Sequence, residues 1–175
     1  MRNVEENIIK MIRGSKVKML NKAFEEVKNL EIVSDNFLKE ILELPKEKLS
    51  SRLFQGEFLE KFECFTSSQL QTIEQFIHQR INDKDAVFVS SLINCANFNN
   101  ILSLHDICIE FVKRRVRNSL IVLASLTYLF EHMNFHDIHR IVPAFNRVLK
   151  KKKYYQNCQT AASFYLFRIT HQQEY

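Results

Sequence analysis

Glycine and proline are scarce in this chain: Gly14, Gly56, Pro45 and Pro143 are all it has in 175 residues. Hairpins, phosphate-cradling loops and flexible linkers draw on these two residue types, so the sequence has little material for any of them. Tryptophan is absent, and the four cysteines, Cys64, Cys95, Cys108 and Cys158, make no CxxC pair. Each cysteine sits in or beside an apolar helical pattern, so all four are expected as reduced, buried thiols. No run of about 18 apolar residues could span a bilayer, and Met1 to Lys10 lacks the basic start and apolar stretch of a secretory leader. A cytoplasmic location is the expectation.

What the chain does have is apolar residues at helical spacing. At 46% hydrophobic it can bury one domain or a short repeat array, and the reading is a single all-α domain over 1–175. Residues 1–49 are expected to form a helical cap. Asn3 can cap a first helix over Ile8, Ile9 and Met11, which stops at Gly14-Ser15, where glycine can take the left-handed closing conformation. Ser15 opens a second helix, with Val17, Leu20, Phe24, Val27 and Leu30 on one stripe. Ser34 and Asp35 cap a third through Phe37, Leu38, Ile41 and Leu42, which ends before Pro45.

From residue 50 to 175 the pattern becomes paired helices renewed every 34 to 36 residues, with unit starts at Ser50, Lys84, Asn118 and Tyr154. Phe54, Phe58, Phe62 and Phe65 form one stripe; Ser67 or Ser68 caps the return helix of Leu70, Ile73, Ile77 and Ile81. Asp83 and Asp85 precede Val87, Val89, Leu92, Ile93, Ala96 and Phe98, and after Asn99-Asn100 come Leu104, Ile107, Cys108, Phe111 and Val112. Leu120 to Met133 is apolar nearly all round, which argues for burial between neighbours. Its return helix carries Ile138, Ile141, Val142, Phe145, Val148 and Leu149, and a closing helix carries Ala161, Phe164, Leu166, Phe167 and Ile169.

With this unit size and pairing the chain resembles the HEAT-like and armadillo-like helical repeat families. Pro143 is similar to the proline that often kinks a HEAT helix, although it lies in the second helix of its unit, and the aspartate-arginine ladder of those families is missing. The resemblance implies antiparallel helix pairs stacked as a short right-handed array that binds macromolecules along a surface and carries no chemistry of its own. An irregular multi-helix bundle stays open beside it.

Charge supplies the candidate site. Through Asp85 there are 14 Lys and Arg against 15 Asp and Glu; from Ala86 onward the count is 11 against 5. Lys113, Arg114, Arg115 and Arg117 end one second helix, and Arg147, Lys150, Lys151, Lys152 and Lys153 end the next, so a stacked array would bring both clusters to one edge. Cations at a helix C-terminus gain about 0.3 to 1 kcal/mol each without any partner, which accounts for one or two of them but not nine. Tyr154 and Tyr155 follow the lysine run and join the candidate partner-binding set. Stacking aromatics among cations also suit RNA or DNA, but no helix-turn-helix, zinc-finger, RNP or GxxG pattern accompanies them. The acidic half, including Glu57, Glu60, Glu63, Asp83 and Asp85, suits a protein partner presenting both signs.

Catalysis finds little support. His132, His136 and His139 have a metal-like spacing, but Asn134 interrupts the helix between them, and His105-Asp106 is generic. No serine or cysteine has a glycine-framed elbow or a basic partner at a recognisable spacing. The expectation is a protein without enzymatic activity, metal or cofactor. In size and character the chain is similar to some immunity proteins of bacterial contact-dependent growth inhibition. That similarity implies a cytoplasmic binder that covers a cognate toxin domain and excludes its substrate; the alternative is an RNA- or DNA-binding helical repeat that uses the basic ridge.

Overall fold

The computed structural model describes residues 2–14, 17–62, 64–113, 118–150 and 156–171. Among them are ten α-helices and no strand: α1 Arg2–Arg13, α2 Val17–Lys28, α3 Asp35–Leu42, α4 Leu49–Lys61, α5 Ser67–Arg80, α6 Ala86–Phe98, α7 His105–Lys113, α8 Ser119–Glu131, α9 Ile138–Lys150 and α10 Gln156–His171, with short 3₁₀ turns before α7 and α9. The all-α class expected from the sequence is the class observed. The chain divides into two compact units, Met1–Cys95 and Ala96–Tyr175.

Local chemistry sets the helix ends. The Ser34 hydroxyl accepts from the Phe37 N–H at 3.1 Å and caps α3 as expected. Asp85 accepts from the N–H groups of Val87 and Phe88 and caps α6, and Asn118 does the same for α8 through Leu120. Three expectations are corrected. Asn3 lies inside α1 instead of capping it. Gly14 is not left-handed; the one positive φ among the described residues is 54° at Asn100, where α6 stops. Thr66, not Ser67 or Ser68, caps α5, because Gln69 three residues on returns a hydrogen bond to the Thr66 N–H and completes a capping box.

In the first unit the phenylalanine stripe of α4 is the core. Phe54, Phe58 and Phe62 are buried and stacked along one face, with Phe24 of α2 at 4.7 Å from Phe54 and Phe37 of α3 edge-on to Phe58 at 6.0 Å. The short helix α3 is held by polar side chains at both ends. Buried Glu5 accepts from the Ser34 N–H and hydroxyl at 2.8 and 2.7 Å, and buried Gln55 donates to the Ile41 and Leu42 carbonyls that end the helix. Gln69 donates to the Val33 carbonyl and to Asp35.

Helices two places apart run parallel and are tied by side chains. Along α4 and α6, Arg52 meets Asp85 at 3.3 Å and Glu60 meets Asn94 at 2.9 Å, pairs 33 and 34 residues apart. Gly56 lies between them. A Cβ there would stand 3.2 Å from the Ser91 Cβ and 3.4 Å from the Phe88 ring, so glycine is what lets the two helices approach this closely.

In the second unit α7 packs on α8 and α9, and α10 on α8 and α9. Again the ties join helices two places apart: His132 to the Asn97 carbonyl, 35 residues away, Arg140 to Asp106, 34 away, and Thr127 to Tyr165, 38 away. Helix α7 thus lies beside α9 and α8 beside α10. The nearly all-apolar α8 is buried as expected, with Ile121, Val122, Leu126, Tyr128 and Leu129 inside, and the Tyr128 hydroxyl donates to the Ile101 carbonyl at 2.6 Å.

Gly56→Leu should therefore lose about 1 to 3 kcal/mol by overpacking the α4/α6 crossing, although leucine is the better helix former. The check is a lower urea midpoint with unchanged helical circular dichroism at zero denaturant.

Candidate interaction surface

Helices α7 and α9 pack side by side, and an ion pair joins their N-terminal ends. Arg140 in the first turn of α9 meets Asp106 of α7 at 2.6 Å and Asp137 at 3.8 Å, and the His105 Nε2 lies 3.6 Å from Asp137. The opposite ends of the same two helices are then also at one end of the unit, and those ends are basic: Lys113 half-buried on α7, Arg147 and Lys150 exposed on α9. Acidic side chains at the starts and basic ones at the ends suit both helix dipoles.

Of the sequence-predicted set, the structure places Lys113, Arg147 and Lys150 and brings their helix ends together. Arg114, Arg115, Arg117, Lys151, Lys152, Lys153, Tyr154 and Tyr155 lie outside the described residues. Exposed cations so placed can attract and orient an anionic surface.

The acidic residues singled out in the first unit each have a partner within it. Asp85 pairs with Arg52 and Asp83 with Arg80, Glu57 with Lys61, and Glu60 accepts from Asn94; Glu63 is outside the described residues. Arg80 is the residue that sequence reasoning missed. It is 5% exposed, lies between the Phe76 and Phe88 rings at 5.6 and 4.9 Å, and donates to Asp83 at 2.9 Å. It occupies a core-facing position one turn beyond Phe76 and Ile77, and the nearby Asp83 is the only sequence signal that could have disclosed it.

The three histidines do not converge. His132 turns onto the Tyr128 ring and the Asn97 carbonyl, while His136 and His139 are exposed. No group of three or more His, Cys, Asp or Glu among the described residues could hold a metal ion, and no described helix is long and apolar enough to cross a membrane. The chain matches no protein-family model, no curated protein and no solved structure.

The thiol expectation needs one correction: Cys64 is exposed, because α4 ends at Lys61 and the apolar pattern around the cysteine continues on a non-helical segment. Burial pushes the Cys108 thiol up to about 12 and raises that of Cys158 as well. In the native protein at pH 8, Ellman's reagent should titrate Cys64 rapidly and the other three cysteines only after unfolding.

Burial opposes ionisation of Asp83, but the Asp85 N–H and the Arg80 guanidinium outweigh it and hold the carboxyl below its ordinary 3.8. A depressed carboxylate contributes stability that is present above the unfolded value and lost as pH falls through the folded one. Asp83→Asn should accordingly lower the urea midpoint at pH 7, and the gap to wild type should narrow as pH falls below the ordinary 3.8.

Proposed function

We propose that this chain is a non-enzymatic, protein-binding helical-pair protein whose basic end in the second unit grips an acidic surface on its partner. The observation that carries this reading is the parallel run of α7 and α9, which sets Lys113 beside the end that bears Arg147 and Lys150. From those two ends the sequence continues with Arg114, Arg115 and Arg117 and with Lys151, Lys152 and Lys153. Three cations placed at one end and six more that follow them in the sequence exceed what two helix termini need, and the pairing of Asp83, Asp85, Glu57 and Glu60 within the first unit favours the basic end as the contact.

In its most concrete form the proposal is a cytoplasmic immunity protein, as the resemblance in size and character implies, bound over a toxin domain so that substrate is excluded. The HEAT- and armadillo-like resemblance belongs to the same proposal. Exposed cations would speed encounter with an acidic patch, and buried apolar contacts would slow release. RNA or DNA is the competing ligand for the same cations. The two differ in salt response, since neutralising six to ten phosphates costs roughly 10³ to 10⁵ in affinity between 50 and 200 mM salt.

The test is affinity purification of tagged protein from its native host after nuclease treatment, at about 0.3 M salt, where exposed pairs are largely screened. A stoichiometric protein partner is expected. Changing Lys113, Arg147 and Lys150 to Gln should slow its association roughly tenfold at low salt, measured by stopped flow. Recovery of nucleic acid alone when the nuclease step is omitted, lost when it is included and with all nine cations changed to Gln, would overturn the reading.

A further inference from the structure

Helices α9 and α10 pack together and carry no carboxylate. Neither the 13 residues of α9 nor the 16 of α10 include an Asp or Glu, in a chain that has 20 of them. Of the cations on the two helices, Arg140 is engaged by Asp106 and Asp137. That leaves Arg147 and Lys150 at the end of α9 and Arg168 on α10, all exposed. A surface that covers this helix pair has to bring the negative charge itself.

Between the same helices lies a shallow hollow of about 650 Å³, lined by Leu149 of α9 and by Gln156, Thr160, Ser163, Phe164 and Phe167 of α10. It adjoins the basic end, since Leu149 immediately precedes Lys150 and Gln156 opens α10. Arg168 stands one turn beyond Phe164 on the same side of α10, so cations flank the hollow at both ends. Phe164 and Phe167, counted among the apolar residues of α10 in the sequence, are 54% and 57% exposed, whereas Cys158, Ala162 and Ile169 are buried. The two rings and Leu149 make an apolar floor, and Gln156, Thr160 and Ser163 make a hydrogen-bonding edge. An apolar centre within a polar, charged rim is the anatomy of a protein–protein contact.

Charge and shape together specify the occupant. The floor suits one aliphatic or aromatic side chain, and cations at both ends call for carboxylates on either side of it. A nucleobase needs an open ring face on which to stack, but the His171 ring already lies 4.0 Å from that of Phe167, tilted by 30°. A second copy of the chain would bring a net charge of +5 to a surface that is itself basic.

We propose that this hollow is the apolar anchor site of the basic end: it seats one large apolar side chain from an acidic segment of the partner protein, whose carboxylates meet Arg147 and Lys150 at one side and Arg168 at the other. The proposal rests on the reading that the basic end binds an acidic protein surface, and it adds the residues that set how long the complex lasts. Rim cations act mainly on association, and a desolvated anchor acts on dissociation.

The chain has no tryptophan, so a peptide of Asp and Glu around a single central Trp is a fluorescent probe with no tryptophan background from the protein. Titrated with the full chain, its emission should shift to the blue as the indole leaves water, and its binding should weaken with salt. Phe164→Ala and Phe167→Ala change exposed positions; each should keep the circular dichroism of the wild type, lose most of the blue shift and bind roughly tenfold more weakly. Arg147→Gln with Lys150→Gln should flatten the salt dependence and keep the blue shift of the bound fraction. With a partner protein captured from the host, the phenylalanine variants should raise the dissociation rate roughly tenfold and leave the association rate nearly unchanged. A peptide that binds through the cations without a blue shift, and equally to both phenylalanine variants, would overturn the anchor site while the basic end stands. No binding of the peptide, or equal binding of a version with Lys in place of Asp and Glu, would also overturn the anchor site, and the purification from the host decides the basic end separately. Displacement of the peptide by single-stranded oligo(dT), lost in Phe164→Ala, would overturn it in favour of base stacking.

Discussion

Parallel packing between helices two places apart is the constraint on which the rest of both units depends. A helix cannot bury its apolar stripe alone, and here the covering surface comes from the next helix and from the one after it. The second of these contacts needs a fixed chain length between partners, long enough for one antiparallel return. Arg52 with Asp85, Glu60 with Asn94, Asn97 with His132 and Asp106 with Arg140 all meet at separations of 33 to 35 residues. Everything that varies between the pairs, including turn chemistry, cap residues and the 3₁₀ segments, is accommodated inside that length.

Polar groups inside the units serve this constraint. Glu5, Gln55 and Gln69 are all buried, and all three point at α3. A helix of eight residues has few intrahelical bonds to its name, and its orphan N–H and C=O groups would be costly in the core without these partners. Arg80 plays a comparable part at the other side of the first unit, where two aromatic faces and Asp83 together make a buried guanidinium tolerable. A charge so placed is weak as a source of stability but strong as a condition, since removing Asp83 would leave it buried without its counter-ion.

Much of this was legible in the chain itself, for reasons that differ by element. The stripe Phe54, Phe58, Phe62 could be read because a spacing of four repeats on one helix face whatever lies opposite. The cap of α5 could not be settled from Thr66, Ser67 and Ser68, three hydroxyls in a row, until Gln69 was seen returning its hydrogen bond. Phe164 and Phe167 were counted with the apolar residues of α10 because periodicity reports amphipathicity, not which flank of a helix has a neighbour. Cys64 was misjudged similarly, since composition does not say that the helix has already ended. For the candidate site, the cationic runs were plain in the sequence, while the adjacency of Lys113 to the end bearing Lys150 follows from the parallel packing of α7 beside α9.

The uniform spacing of these ties also bears on how the chain finds its structure. Closing a loop costs entropy that grows only with the logarithm of its length, and the ties described above between helices two places apart close loops of 33 to 38 residues. No stage of assembly then has to wait for distant parts of the chain to meet, and each helix pair faces much the same search as the next. Such a chain can begin ordering at several places and extend from each.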